Sequence, residues 1–367
     1  MKAAPVIREL RRHPNEFAPS VVHTGQHYDR EMSQIFFDEL GVAPPEFQLN
    51  VGPGSHAQQI AAVLQRLEPI AVGADLVLVA GDVNSTLGSA FAAASVGAPV
   101  GHIESGLRSF DWSMPEERNR VLVDRLSALL FIHSEEARAN LLAEGLPRES
   151  IHFVGNTMID TLVALRPAIE RATTVRDQGL ERREYLLVTL HRPALVDDDG
   201  LLGAAIRRLS DLAEHMPVVF PVHPRTRERI AYLQRKLASP RIRFLPPLGY
   251  IGFMNLLMNA RAVLTDSGGI QEETTFLGIP CFTLRKNTER PVTETSGTNT
   301  VLGLMPDRIA EIPNRIESIE NRDKGIPELW DGRAAERIVA VLRQRETWDY
   351  LSQKTLGREG PAEAAAG

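Results

Sequence analysis

The sequence lacks most features that would assign it to a special class of protein. It has a single cysteine, Cys281, in 367 residues, so no disulfide can form within the chain, and this composition fits a reducing compartment. No run approaches the ~20 consecutive apolar residues of a membrane span, and the N-terminus has no apolar signal-peptide core. We therefore expect a cytoplasmic protein that has no membrane partner.

The chain also has no net positive charge, and aromatic residues are scarce. The formal net charge is −6 and aromatic residues make up 6% of the chain, without alternating with basic ones, which argues against a nucleic-acid groove. A Walker lysine motif, an early GxGxxG and a metal-ligand cluster with recognisable spacing are all missing. We expect no metal, no cofactor and no nucleic-acid partner.

Short apolar runs alternate with longer amphipathic ones along the chain. With 367 residues, the protein is too long for one ordinary core. The strand-like runs form two series, from "SVVHTG" to "IHFVGN" and from "YLLVTLH" to "PCFTLR". Alternating helices and continuously apolar strands predict an α/β protein with two doubly wound parallel sheets that gather their strand ends around a central cleft.

The charged segment "ALRPAIERATTVRDQGLERREY" separates the two series. We predict an N-terminal Rossmann-like domain at 1–165, a C-terminal one at 166–342, a helix near 343–357 that packs back on the first domain, and a disordered tail at 358–367. The opening "MKAAPVIRELRRHP" predicts an amphipathic helix, whereas doubly wound domains open with a strand. We expect the first strand to be missing from this chain.

The stretch "TDSGGIQEE" predicts a strand, a glycine turn and a helix. Gly268 and Gly269 allow the backbone to approach a ligand closely, and N–H groups at a helix start favour phosphate. Ser267 adds a hydroxyl, and a carboxylate one turn on, such as Glu273, can accept from ribose hydroxyls. A tight turn capped by Ser267 or Asp266 has the same pattern, so both interpretations stay open here.

Carboxylates follow the predicted strands of the first series. Asp82 in "GDVNST" and Glu104 in "GHIESGLRS" end two strands, and Glu116 and Glu117 follow in "PEERNR". Three carboxylates in one site would raise at least one pKa by crowding. A helix cap at Asp82 and surface ion pairs with the neighbouring arginines are the alternatives.

Two histidine–arginine pairs end strands of the second series. They are His191 with Arg192 in "LHRP", and His223 with Arg225 in "PVHPRT". A lone histidine at a strand end is more often structural, but two such pairs near a predicted phosphate site favour anion binding. Arg290 in "TERP" can contact a diphosphate through two parallel hydrogen bonds.

In combination, these motifs resemble those of bacterial UDP-N-acetylglucosamine 2-epimerases of the non-hydrolysing type. The resemblance runs nearly end to end, and "TDSGGIQEE" with a later "TERP" is its most specific part. It implies two Rossmann-like domains in the GT-B arrangement, a homodimer and a nucleotide-sugar isomerase of cell-surface polysaccharide biosynthesis. The product of UDP-N-acetylglucosamine would be UDP-N-acetylmannosamine.

The resemblance also implies roles for individual residues. Catalysis would fall to Asp82, Glu104, Glu116 and His191. The substrate-binding residues, with Phe253 against the uracil, would be Lys2, Arg192, His223, Phe253, Ser267, Gly268, Gly269, Glu273 and Arg290.

Two departures from the family pattern stand out. The chain begins just after the family's "GTRPE"-like loop, so we expect the natural start to lie upstream. After "HRP", Ala194 and Leu195 replace a Glu–Asn-type pair, which bears on the contacts to the sugar.

The C2 hydrogen of the sugar is barely acidic, so inversion without a redox cofactor needs elimination of UDP. That route requires a carboxylate base, a carboxylic acid and cations for the departing diphosphate. The alternatives are a hydrolysing epimerase that releases N-acetylmannosamine and UDP, a 2-epimerase of a modified UDP-sugar, a GT-B glycosyltransferase, and a nucleotide-sugar-binding protein without activity.

Overall fold

The computed structural model of the chain describes residues 1–25, 39–223, 226–237, 239–320 and 325–356. Arg225 and the predicted tail at 358–367 lie outside these ranges. Within them the chain divides into two compact units, one formed by Met1–Thr161 and the residues from Glu328 onward, the other by Leu162–Pro327. None of the described helices combines the length and the apolar character that crossing a bilayer requires.

All strand pairs of the described ranges are parallel. The first unit has a two-stranded sheet and a four-stranded sheet, with strands Val22–His23 (β1), Phe47–Gln48 (β2), Val77–Ala80 (β3), Val100–Ile103 (β4), Leu129–Ile132 (β5) and Ile151–Phe153 (β6). The second unit has one six-stranded sheet, with strands Leu186–Thr189 (β7), Val218–Pro221 (β8), Ile242–Leu245 (β9), Ala262–Thr265 (β10), Cys281–Thr283 (β11) and Asn299–Val301 (β12). The predicted α/β class with parallel sheets is confirmed.

Helices connect most of the strands. In chain order they are Ala4–Arg11 (α1), His56–Ala71 (α2), Asn84–Ser95 (α3), Pro115–Leu126 (α4), Glu135–Ala143 (α5), Thr157–Arg171 (α6), Thr174–Asp177 (α7), Pro193–Val196 (α8), Asp199–Ala213 (α9), Arg227–Leu237 (α10), Tyr250–Asn259 (α11), Gly268–Leu277 (α12), Val292–Thr295 (α13), Ile312–Glu320 (α14), Ala334–Leu342 (α15) and Arg345–Leu356 (α16). The predicted opening helix is present as α1.

The six-stranded sheet has the order β12-β11-β10-β7-β8-β9. This is the strand order of a doubly wound sheet, and the winding direction reverses between β7 and β10. Thr189 at the end of β7 is in register with Thr265 at the end of β10. The residues that follow these two strands therefore emerge side by side at the position where such sheets bind their ligands.

The four-stranded sheet of the first unit is covered on both faces. Val79, Val100 and Val123 belong to the cluster on one face. On the other, Ile103 packs in a cluster that includes Leu10 of α1, together with residues of β5, α15 and α16. The chain thus returns to the first unit at Glu328, where α15 packs its buried face against α1. The prediction places this return later, at a helix near 343–357.

Candidate functional site

The turn after β10 opens α12 without a side-chain cap. Ser267 occupies the N-cap position, and its hydroxyl makes no capping bond to the helix in the described structure. Asp266 turns to another partner, described next. The interpretation as a capped turn is therefore wrong, and the N–H groups of Gly268 and Gly269 begin a helix whose first donors have no partner within the helix.

Asp266 connects the ends of β10 and β7. Its Oδ2 accepts hydrogen bonds from the backbone N–H groups of His191 and Arg192, both at 2.8 Å. Its Oδ1 lies 3.1 Å from Nδ1 of His191. Although burial opposes the change, the His191 imidazole and these backbone donors hold the pKa of Asp266 below its ordinary value. The carboxylate thus sets the position of the β7 end and the orientation of the His191 ring.

The two predicted histidines of the second unit come together. The rings of His191 and His223 have centroids 5.4 Å apart and planes inclined by 30°. His223 follows β8, which is the neighbour of β7, so adjacent strands deliver the pair. The His191 side chain is 31% exposed, which leaves it accessible to a ligand.

Glu273 is buried on α12, and its Oε1 accepts a hydrogen bond of 2.9 Å from the Tyr250 hydroxyl. Burial raises the pKa of Glu273 to about 8, and the charge of Glu272 acts in the same direction, whereas the Tyr250 hydrogen bond opposes the rise. Burial also raises the pKa of Tyr250. Phe253 lies on the same helix as Tyr250, three residues later, and is half-buried.

Arg290 packs behind the glycine turn. Its Nε lies 2.8 Å from Oε1 of Glu272, and its Nη1 lies 2.7 Å from Oε1 of Glu289. Glu289 in turn pairs with Arg285 at 2.7 Å. A side chain at Gly268 would overlap the Arg290 guanidinium, which gives this position a need for glycine. In the structure, the contacts of Arg290 with Glu272 and Glu289 support the turn. A contact of Arg290 with a diphosphate stays a prediction.

In the first unit, Asp82 follows β3 and does not cap the next helix. The N-cap of α3 is Val83, whose side chain makes no capping bond. Oδ2 of Asp82 instead lies 2.5 Å from Nη2 of Arg120, and the Asp82 side chain is 21% exposed. The interpretation of Asp82 as a helix cap is therefore wrong.

Glu104 follows β4 in a left-handed backbone conformation, with φ 69°. Such angles are uncommon for a residue with a side chain and collect at functional sites. Its buried carboxylate forms an ion pair with Lys2, which precedes α1. The structure thus brings together two residues that the sequence alone places far apart.

The adjacent glutamates of "PEERNR" have different surroundings. Glu117 is buried, and its carboxylate accepts from the backbone N–H groups of Ser109 and Phe110 and pairs with Arg120 at 2.5 Å. Glu117 therefore holds the loop that follows Glu104. Glu116 lies in the first turn of α4 and is half-buried.

Sequence reasoning missed several residues that organise these sites. Sequence reasoning places Glu117 among the carboxylates and Arg120 among the arginines of surface ion pairs, whereas both are buried, and it treats Asp266 only as a cap. Tyr250 stands in the apolar stretch "GYIGF", where nothing in the sequence signals a buried hydroxyl directed at a carboxylate. For Arg120, the signal is its place three residues after Glu117, a spacing that puts the two on one face of a helix.

The chain is similar to known proteins along most of its length. A family model described as UDP-N-acetylglucosamine 2-epimerase matches residues 8–343. The UDP-N-acetylglucosamine 2-epimerase of Methanococcus maripaludis is 38% identical over 352 residues, which are 93% of this chain and 94% of that protein. The UDP-2,3-diacetamido-2,3-dideoxy-D-glucuronate 2-epimerase of Pseudomonas aeruginosa is 39% identical over 329 residues, which are 88% of this chain and 90% of that protein.

Solved structures give the same result. The crystal structure of Methanocaldococcus jannaschii UDP-GlcNAc 2-epimerase in complex with UDP-GlcNAc and UDP has a TM-score of 0.84 at 36% identity, covering 93% of this chain and 95% of that one. This similarity confirms the predicted GT-B-like fold class, and the family match confirms the predicted enzyme class, an isomerase of nucleotide sugars. The chain belongs to the UDP-N-acetylglucosamine 2-epimerase family.

Proposed function

We propose that this chain interconverts UDP-N-acetylglucosamine and UDP-N-acetylmannosamine by elimination and re-addition of UDP. The observation that carries the proposal is the reversal point between β7 and β10. There an uncapped helix start lies beside a histidine whose ring is oriented by the buried Asp266. Free N–H groups and a positive helix end are suited to a diphosphate.

The proposed reaction balances without a cofactor. A carboxylate removes the hydrogen from C2 while the C1–O bond breaks, and the bonding electron pair leaves with UDP. The C2–H electrons form the C1–C2 double bond of 2-acetamidoglucal. A proton then returns to C2 on the opposite face, and a phosphate oxygen of UDP adds to C1. The positive character that develops at C1 is what makes the C2 hydrogen removable.

In this proposal the second unit binds the nucleotide. Ser267, Gly268 and Gly269 bind the diphosphate, and Glu273 accepts from the ribose hydroxyls. The proposal assigns to His191 the stabilisation of the negative charge that develops on the departing phosphate, because its ring is oriented and partly exposed. Three further predicted contacts complete the assignment: Arg192 and His223 with the phosphates, and Phe253 with the uracil.

The first unit supplies the proton-transfer groups in this proposal. Asp82, Glu104 and Glu116 are the candidates for the base and the acid. Lys2 is assigned to bind the substrate near Glu104. The ion pairs of Asp82 with Arg120 and of Glu104 with Lys2 support a site in which carboxylates are held in defined positions. The proposal assigns the roles of base and acid to this set of three and not to single residues.

A modified UDP-sugar is the second candidate substrate. The relative from Pseudomonas aeruginosa, named for a diacetamido-glucuronate substrate, is as similar to this chain as the acetylglucosamine epimerases are. Of the two residues that depart from the family pattern, Leu195 is buried in the core, whereas Ala194 is exposed. The difference relevant to a substrate would therefore lie at Ala194.

Incubation with UDP-N-acetylglucosamine in deuterated water, followed by NMR, tests the proposal. Deuterium at C2 of both UDP-sugars is the expected result. Free N-acetylmannosamine as the product would show the hydrolysing reaction instead. Exchange that occurs only with a UDP-diacetamido-glucuronate would transfer the proposal to that substrate, and exchange with neither sugar would contradict it.

We further propose that the chain acts as a cytoplasmic homodimer. Exposed apolar side chains on the packed helices α3 and α4, Phe91 and Leu122, support association of two copies. Sedimentation of the purified chain should give twice the monomer mass, and a monomer at all micromolar concentrations would contradict the dimer. Cell fractionation tests the compartment, for which the single buried Cys281 is the support.

A further inference from the structure

His102 is a fully buried histidine on β4, two residues before Glu104. Its Nδ1 lies 2.7 Å from Oδ1 of Asp124, and its Nε2 lies 2.8 Å from the carbonyl oxygen of Gly81. Carboxylate and carbonyl oxygens only accept hydrogen bonds, so both ring nitrogens donate and the ring carries two hydrogens. The ring thus links α4 to the residue that precedes Asp82.

Asp124 receives three donors from the segment around Glu104. Besides His102, the backbone N–H of Gly106 donates to its Oδ2 at 3.1 Å, and Nη1 of Arg108 lies 2.8 Å from the same oxygen. These donors stand on both sides of Glu104 in the chain. A left-handed conformation persists only where the surrounding structure enforces it, and this carboxylate provides such enforcement at Glu104.

The charges in this cluster balance. Arg108, which pairs with Asp124, also pairs with Glu144 through two hydrogen bonds of 2.6 Å and 2.7 Å. The doubly protonated ring and the guanidinium therefore face two carboxylates. Removing one member of a buried set leaves another charge without compensation, which is costly.

We propose that His102 and Asp124 are positioning residues for the two carboxylates that follow β3 and β4. His102 holds the Gly81 carbonyl and with it Asp82, while Asp124 holds both sides of Glu104. The inference rests on the proposed function, which assigns proton transfer to Asp82 and Glu104. Both side chains are fully buried, so they act through the backbone and not on the sugar.

The test compares Asp124→Asn with a matched control, Asp160→Asn. Asp160 is also buried in the first unit and accepts from the N–H groups of Ala334 and Ala335 at 3.0 Å and 2.7 Å. It holds the start of α15 and contacts neither carboxylate-bearing segment. Both variants exchange one buried carboxylate for an amide of the same shape, so a purely structural role predicts a loss of stability in each and no selective loss of kcat in Asp124→Asn.

We expect kcat for C2 exchange to fall about 10²-fold in Asp124→Asn, because a displacement of ~1 Å in a reacting group costs about that much. The Kd for UDP should stay within about threefold, since UDP is assigned to the second unit. Asp160→Asn should also lower the melting temperature, by less because its donors are two backbone N–H groups, and should keep kcat within about threefold. An equal loss of kcat in both variants, or no loss in a folded Asp124→Asn, would overturn the inference. If Asp124→Asn does not fold, His102→Gln replaces it under the same criteria.

Two readouts do not depend on activity. In ¹⁵N NMR spectra of the wild-type chain, both ring nitrogens of His102 should carry hydrogen, and one bare nitrogen would contradict the linkage. Crystal structures of wild type and Asp124→Asn should differ at Asp82 and Glu104 by about 1 Å or more. If wild type exchanges no C2 hydrogen, the proposed function fails, and these two measurements still decide the positioning.

Discussion

Asp266→Asn replaces the carboxylate that orients His191 by an amide of the same shape. The single oxygen of the amide can still accept from the backbone N–H groups of His191 and Arg192, which now bond Oδ2 at 2.8 Å. The amide nitrogen then lies about where Oδ1 lies now, 3.1 Å from Nδ1 of His191. Two N–H donors cannot face each other, so Nδ1 must carry no hydrogen in the variant, and the ring is then held as the neutral Nε2–H tautomer and not as the cation that would best stabilise a departing phosphate.

The change of tautomer sets the size of the expected effect. Loss of a correctly placed proton-transfer or electrostatic group costs about 10²–10⁴-fold in rate. We therefore expect kcat for C2 exchange to fall by about 10²-fold or more. The two backbone hydrogen bonds to Asp266 lose their charge assistance, which should lower the free energy of unfolding by about 1.5–3 kcal/mol.

The assay is C2 deuterium exchange in the full chain, with thermal unfolding and UDP calorimetry on the same samples. Asp211→Asn, an exposed change of the same charge in the second unit, serves as the control and should leave all three measurements near wild type. A folded Asp266→Asn that keeps kcat within about threefold would refute the reasoning, because His191 would then work without its oriented ring.

Three further predictions concern candidate residues of each unit. Burial raises the pKa of Glu273 from 4.5 to about 8, so its contribution to the free energy of unfolding is complete below pH 4.5 and is lost as the pH rises through about 8. Thermal melts across that range should show the loss in wild type and not in Glu273→Gln, and identical profiles of the two would contradict the prediction. Asp82→Asn and Glu116→Gln should abolish C2 exchange and spare UDP binding, whereas Ser267→Ala should weaken UDP binding first. If exchange assays and UDP calorimetry give the reverse pattern, the roles of the two units are assigned wrongly. Gly268→Ala should destabilise the protein by about 1–3 kcal/mol in denaturant unfolding, because the added methyl meets the buried guanidinium behind the turn, and wild-type stability would contradict that packing.

The sequence predicts the strands well because buried parallel strands are continuous apolar runs. It misses β12, since Asn299–Val301 is a short, polar edge strand inside "GTNTVLG" with no such run. The opening helix is predicted correctly from Val6, Ile7 and Leu10 on one side, of which the structure buries Val6 and Leu10 and half-buries Ile7. The return at Glu328 is not predictable from local pattern, because an amphipathic helix does not encode which sheet it covers.

The candidate site follows a similar division. Motifs at strand ends locate Asp82, Glu104 and Ser267, since parallel strands deliver their ends to one edge of a sheet. Nothing in the local sequence distinguishes Glu116 from Glu117. Neighbours on a helix point about 100° apart, and the path of the 105–114 loop decides which of the two carboxylates is buried. The role of Asp266 depends on the register between β7 and β10, which no single segment contains.

The return of the chain to its first unit has a consequence for biosynthesis. Leu10 and Phe131 share their apolar cluster with Ile338, Leu342 and Leu351, which the ribosome makes only after the whole second unit. The continuous stretch 162–327 can fold as soon as it emerges, whereas the first unit stays incomplete until residues beyond 327 are made. In a nascent chain the second unit is therefore able to fold first, while Leu10 waits for neighbours that are translated after it.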